Sequence, residues 1–306
     1  MLRFILRRAV RGAVVISGVT VVVFVVTRVI SDPAKRILPY EASQEQYEAL
    51  RDSLGYNRGL LTQFWEFLHH VVLFDFGDSL WQRQPAIELV MERVPRSLVL
   101  VLLSLGIAML LAVPLGIVAS LRPGSKADQG AVVTSLLGLS IPQFWLGLLL
   151  IYVFAVQLGW FPTSGQGSIK QMVLPAFALA LPAAGRITQM TRSAMIDELS
   201  QAYVTTATAK GMPQGYIIRR HVLRNASVPV VTLTGWELVR ALAGYTIIVE
   251  TVFAWPGVGY LAIQAVDRQD LPLIQAVVFL VAVVVVLVNF LMDVLYLRID
   301  PRISML

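Results

Sequence analysis

The chain has 306 residues, of which 57% are hydrophobic and only 14% charged, with a net charge of +6 and a mean hydropathy of +0.71. Soluble domains carry about 25% charged residues, so the composition excludes an ordinary soluble protein and points to one that spans a membrane. Cysteine is absent and histidine numbers three, His69, His70 and His221, which excludes disulfides and thiolate metal sites and leaves little for a metal cluster.

A hydrocarbon core about 30 Å thick needs roughly 20 apolar residues in a helix. In chain order, six runs meet or approach that length: Ala9–Val29, Leu98–Leu121, Ala131–Gln157, Met172–Met190, Val228–Val249 and Leu273–Leu297. The first is too long for the apolar part of a secretory signal and lacks a small-residue cleavage site at Ser31-Asp32-Pro33, so it reads as a retained span. The fourth is the least apolar, interrupted by Pro175 and Pro182 and ending in Arg186 and Arg192. Proline is tolerated in a span whose neighbours satisfy the freed backbone. Pro114 and Pro142 are expected to kink their spans.

Between the first two runs lies a 32–96 segment with ten acidic and seven basic residues. Ser43 and Gln46 have the spacing of a capping box before a helix that Gly55 ends. Leu61, Phe64, Leu68 and Val72 form an apolar stripe at helical spacing. Pro85 opens a third short helix with Ile87, Val90, Met91 and Val94 on one face. Such helices read as a lid on the outer membrane surface, ahead of a substrate-binding domain, for which the segment is too small.

The polar island Ser193–Ala226 separates the fourth and fifth runs. A helix over Asp197–Lys210 is stopped by Gly211 and Pro213, and a basic helix leads back toward the membrane. An island of that size and basicity exceeds what a connector needs, and it has the character of a docking element for a cytoplasmic partner. Its alternative is an interfacial loop held on anionic lipid by Arg219, Arg220 and Arg224. Orientation follows from the basic residues of the short loops. With the N-terminus inside, fourteen Lys and Arg fall on the inner side, against Lys170 and Arg268 on the outer. Both termini and the island are therefore expected in the cytoplasm. This asymmetry accounts for the net charge without a nucleic-acid partner.

Charges inside spans are functional candidates. Glu237 and Arg240 are three residues apart on one helix face, and mutual neutralisation is the leading expectation, ahead of substrate contact. Glu250 stands at the outer end of the fifth span, where Pro256 and Gly257 open a turn that re-enters or caps an outer gate. Asn289 and Asp293 read as helix–helix hydrogen-bonding groups. Trp145, Trp160 and Trp255 read as interface aromatics. No glycine is followed by lysine, so a phosphate-binding G-x-x-x-x-G-K loop is missing, as are G-x-S-x-G and H-E-x-x-H. The chain does not hydrolyse ATP itself, and its energy comes from a partner or a gradient. A gradient-driven transporter is the rival class, but the internal repeats common in that class are not visible.

The motifs LRFILRRAV, FDFGDSL, PAIELVMERVPRSL, PLGIVASLRPGSKAD, LGLSIPQFWLGLLLIYVFAVQLGWFPTSG, ETVFAWPGVGYLAIQAVDRQDLPLIQA and NFLMDVLYLRIDPR follow one another along nearly the whole chain. In that order they resemble the B-type permease subunit of dipeptide and oligopeptide ABC importers, of the binding-protein-dependent permease family. The resemblance implies an all-α membrane protein of six spans with the type I importer fold. Its parts would be an N-terminal segment and first span (1–31), an extracytoplasmic helical insertion (32–96), the transmembrane domain (97–298) and a cytoplasmic tail (299–306). It also implies a coupling helix at about 197–211 that rests in a groove of a cytoplasmic ATPase. Ala202, Ala207 and Ala209 would allow close approach there, Tyr203 would anchor, and Lys210 and Gly211 would complete the contact and the exit turn. The chain departs from the family at Thr205 and Thr208, where arginine is usual, and at Ser31, where the first span usually exits through Gly-Asp-Pro. The implied partners are a homologous second permease, two ATPase subunits that bind the ATP, an extracytoplasmic binding protein and the lipid bilayer of a bacterial plasma membrane. Peptide is the implied cargo, with nickel, glutathione or haem as alternatives carried by the same family. No cofactor of the chain's own is implied.

Overall fold

The computed structural model describes residues 2–30, 43–53 and 57–299. The exit at Ser31-Asp32-Pro33, the stop at Gly55 and the tail from position 300 lie outside them. Every regular element among the described residues is helical, apart from an isolated bridge between Asp78 and Pro85. In chain order they are α1 (Leu2–Phe24), α2 (Gln44–Ser53), α3 (Leu60–Val72), α4 (Ala86–Leu121), α5 (Lys126–Ser140), α6 (Gln143–Leu150), α7 (Ile169–Leu199), α8 (Ala202–Ala209), α9 (Gln214–Ile217), α10 (Leu223–Arg240), α11 (Thr246–Val252), α12 (Val258–Asp267) and α13 (Leu271–Ile299). Wider π turns extend α1 over Val25–Ile30 and α6 over Ile151–Gln157, and join α9 to α10 and α10 to α11.

By length and composition α1, α4 and α13 can each cross a membrane alone, and the pair α5–α6 makes a fourth candidate. The run expected over 131–157 is bent at Pro142, as that proline leads one to expect, and its halves meet at 101°. The break has a local cause. Proline disfavours helical backbone in the residue before it, and Ile141 and Pro142 are extended, with ψ of 122° and 135°. Pro114, by contrast, lies in a helix that runs unbroken through it, as do Pro175 and Pro182. Helix α7 and the α10–α11 rod are less apolar than the other runs because they carry Arg186, Arg192, Glu237 and Arg240.

Two compact units divide the chain: Met1–Arg96 with Gly257–Phe290, and Ser97–Pro256 with Leu291–Leu306. In the first, Phe24 of α1, Phe67 and Val71 of α3, Leu89 and Val90 of α4, Leu261 of α12 and Leu273 and Phe279 of α13 share one core. Gln275 donates to Thr27 across 2.8 Å, which satisfies a polar pair between α1 and α13. The capping box at α2 forms as expected, with Ser43 N–H donating to Gln46 Oε1 and Gln46 N–H to Ser43 Oγ. The stripe expected on α3 is rotated. Gln63, Phe67 and Val71 are buried, whereas Leu61 and Val72 are exposed. Pro85 opens the 36-residue α4 rather than a separate short helix. Asp270, fully buried, accepts from Ser79 Oγ at 2.5 Å and Trp81 N–H at 3.2 Å and caps α13 through Leu273 N–H. Arg268 stacks on the Trp81 ring at 3.9 Å.

In the second unit α7 is the central rod, with α5, α6 and α10 packed along it. Small residues set the spacing, as they do between helices in lipid, where apolar burial supplies no drive. A Cβ on Gly185 of α7 would stand 2.7 Å from the Ser135 carbonyl of α5, and one on Gly116 of α4 would stand 2.6 Å from Thr191 Cβ of α7. Asp128 ties the start of α5 to α7. Both its oxygens bind the Arg192 guanidinium, and Oδ2 also accepts from Gly124 N–H at 2.8 Å.

Candidate functional site

The island folds as a helical hairpin between two long helices. Its first part corrects the expectation of a helix over 197–210: Asp197 to Leu199 finish α7, and the short α8 starts afresh at Ala202. Helix α8 ends in a complete glycine cap. Gly211 N–H donates to Thr208 O at 2.9 Å and Met212 N–H to Ala207 O at 3.2 Å, with Gly211 at a φ of +78°. These are the two paired bonds of a Schellman motif. Pro213 then caps α9.

The residues expected to meet a partner divide into two faces. Ala207 is buried against Met195, Ile217, Val222 and Ala226, so it seats α8 on its own chain rather than on a neighbour. Tyr203 is likewise held internally. Its hydroxyl donates to Glu198 Oε2 at 2.6 Å, and Asn225 Nδ2 reaches the same carboxylate at 3.2 Å and the Tyr203 oxygen at 3.4 Å. Burial and then the Glu198 carboxylate push the Tyr203 hydroxyl above its ordinary pKa, which keeps it a donor. Ala202, Thr205, Thr206, Thr208, Ala209 and Lys210 form the exposed face. Beside it an open groove of about 780 Å³ is lined by Tyr203, Thr206, Lys210, Arg220, His221 and Arg224 among others. The surface on offer is therefore small-residued and cationic.

Further along the same unit, the expected Glu237–Arg240 pair is present and is joined by a closer partner. Glu237 is sealed, with 2% of its side chain exposed, and its main partner is Arg186 of α7, by Nε–Oε1 at 2.6 Å and Nη2–Oε2 at 2.7 Å. This is the bidentate fork that suits guanidinium to carboxylate. Arg240 approaches only to 3.7 Å and leaves half its side chain exposed. Sequence spacing could identify a neighbour within a helix but not one 51 positions away. Glu250 is fully buried and accepts from Ser97 Oγ at 2.6 Å. Trp255 N–H donates to the Glu250 carbonyl at 2.8 Å, and Pro256-Gly257 leads directly into α12. Asn289 bonds within its own helix, to Val285 O. Trp145 and Trp160 are exposed, whereas Trp255 is buried and no interface aromatic.

The arrangement is one of packed helices, with an exposed cationic face on the α8 hairpin and an ion cluster between α7 and α10. Residues 112–305 match the model of the binding-protein-dependent transport system inner membrane component, and residues 1–102 match the N-terminal model of the same membrane component. The chain belongs to this family. Within the binding-protein-dependent permeases it is 37% identical to the oligopeptide transport system permease protein AppB of Bacillus subtilis, over 99% of this chain and 100% of that one. It is 36% identical to the glutathione transport system permease protein GsiC of Escherichia coli K12, over 99% of each. The fold is also that of a solved ABC transporter, the MetNI methionine transporter in inward-facing form. That match has a TM-score of 0.58 at 21% identity, over 69% of this chain and 96% of the other.

Proposed function

We propose that this chain is one permease subunit of an ATP-driven importer, pairing with a homologous permease, resting on two ATPase subunits and receiving peptide from an extracytoplasmic binding protein. The observation that carries the reading is full-length identity of 37% to an oligopeptide permease. The capped, cationic α8 hairpin supports it physically, because a short helix braced by Ala207, Tyr203 and Asn225 between α7 and α10 moves with both. Closure of the ATPases would displace α8 and with it the two long helices, alternating access without chemistry on the cargo. Ala202, Thr205, Ala209 and Lys210 are assigned to the ATPase contact, with Gly211 as the exit turn and Ala207 and Tyr203 as internal anchors. Pro256 and Gly257 are assigned to the outer gate, the cytoplasm holds both termini and the hairpin, and no cofactor is assigned to the chain. Glutathione is the second reading for the cargo, since a glutathione permease matches over the same length.

Co-purification tests the class. The chain extracted in mild detergent from its own cell should carry an ATPase subunit through two chromatographic steps. Recovery of a stable complex containing no ATPase would contradict the proposal.

A further inference from the structure

Arg186, Glu237 and Arg240 form a cluster of two cations and one anion. Arg186 already binds both oxygens of Glu237, so the second cation is surplus. Among the described residues, Arg240 makes no ion pair or hydrogen bond beyond the 3.7 Å approach to Glu237. Its depth is what makes this costly. Arg240 ends the 18-residue α10, with the Ala241–Tyr245 and Thr246–Val252 segments still to follow. From Val228, where the apolar run begins, the helix rises about 18 Å to Arg240, near the middle of a bilayer core. An arginine turned to lipid at that depth is costly, so intramembrane cations face a water-filled path or a partner anion.

A second feature marks the same place. The helix widens to π turns at Ala241–Tyr245 and breaks at Gly244, directly after Arg240. Single π turns and interrupted spans occur preferentially at functional sites. Under the kink, Ser104, Gln143, Arg186, Glu237 and Tyr245 line a void of about 10 Å³, close to the size of one water. The buried Arg186–Glu237 pair borders this void, and Arg240 beside it leaves half its side chain exposed.

Building on the importer reading, we infer that Arg240 is a cargo-binding residue in the translocation path, recognising a carboxylate. Peptides and glutathione share that group. Glu237 and Arg186 position it, since Glu237 keeps the Arg240 head near its own helix.

The chain contains no cysteine, so Arg240→Cys can be labelled cleanly in the whole complex once the other subunits are made cysteine-free. We expect position 240 to react with a small hydrophilic thiol reagent in one nucleotide state and to be protected in the other. Uptake by Arg240→Cys should fall about tenfold, the scale of one charge-assisted hydrogen bond. A cationic aminoethyl label should restore it, and a neutral label of the same size should not. Oligopeptide and glutathione uptake are followed separately, so that whichever cargo responds names the source of the carboxylate. An unreactive position in both states overturns the inference, as does equal uptake with cationic and neutral labels. Loss of the second permease from the Arg240→Cys complex assigns the cation to an acidic subunit contact and overturns it too. ATP-driven uptake by the unsubstituted complex alongside any of these results leaves the importer reading standing.

Discussion

A carboxylate sealed among helices needs a partner cation beside it. Glu237 has that cation in Arg186, and the fork satisfies both oxygens. Removing one partner of such a pair costs about 3–5 kcal/mol, because the other charge is left uncompensated, whereas replacing both with apolar groups is often nearly neutral. Arg186→Ala should therefore reduce the yield of monodisperse protein in detergent several-fold, and Arg186→Met with Glu237→Leu should recover most of it. Arg240, 3.7 Å away, can close part of the gap and soften the single change. If Arg186→Ala accumulates normally and loses only uptake, the pair belongs to the transport path and not to the framework. Composition puts Glu237 in a span, and helical spacing shows one of its cations, Arg240, but not Arg186 on another helix. The Ser79–Asp270 and Asp128–Arg192 ties escaped for the same reason, being 191 and 64 positions apart.

Helix α8 shows what local sequence can specify. Lys-Gly-Met-Pro announced a helix stop, and Gly211 takes the left-handed φ of +78° that such a stop requires. A Cβ there would meet nothing within 4 Å, so a substitution acts through backbone strain and not through collision. Left-handed backbone costs an ordinary residue about 1–2 kcal/mol. Gly211→Val should fray the cap bonds to Thr208 and Ala207 and tilt the exposed face. Stimulation of ATPase activity by loaded binding protein should then be lost while the chain still inserts and assembles. Full stimulation in the variant would mean that coupling runs through another contact. Other elements were less legible. Apolar periodicity marks the run over 131–157 and Pro142 marks its bend, while the 101° angle comes from the extended backbone at Ile141-Pro142. Pro175 and Pro182 interrupt the apolar run of α7 but not its helix, which continues through both, buried where neighbours pack against it. On α3 the stripe was the wrong one, because Leu61 and Val72 lie on a face that this chain leaves uncovered.

At the scale of the molecule, exposed apolar side chains such as Leu110, Val14 and Leu102 coat α4 and α1, as helices bathed in lipid require. Cations gather instead on the α8–α10 hairpin, and fourteen basic residues against two place that hairpin in the cytoplasm on the reading above. An importer of this design needs ATP on the hairpin side and the loaded binding protein on the opposite side. The decisive measurement is cargo movement in sealed vesicles that contain the whole complex. ATP and binding protein are supplied either on opposite faces or on the same face, with a non-hydrolysable nucleotide as control. The account predicts movement only with hydrolysable ATP on one face and loaded binding protein on the other, directed away from the binding protein. Movement driven by an ion gradient without nucleotide, or by ATP and binding protein on the same face, would contradict it.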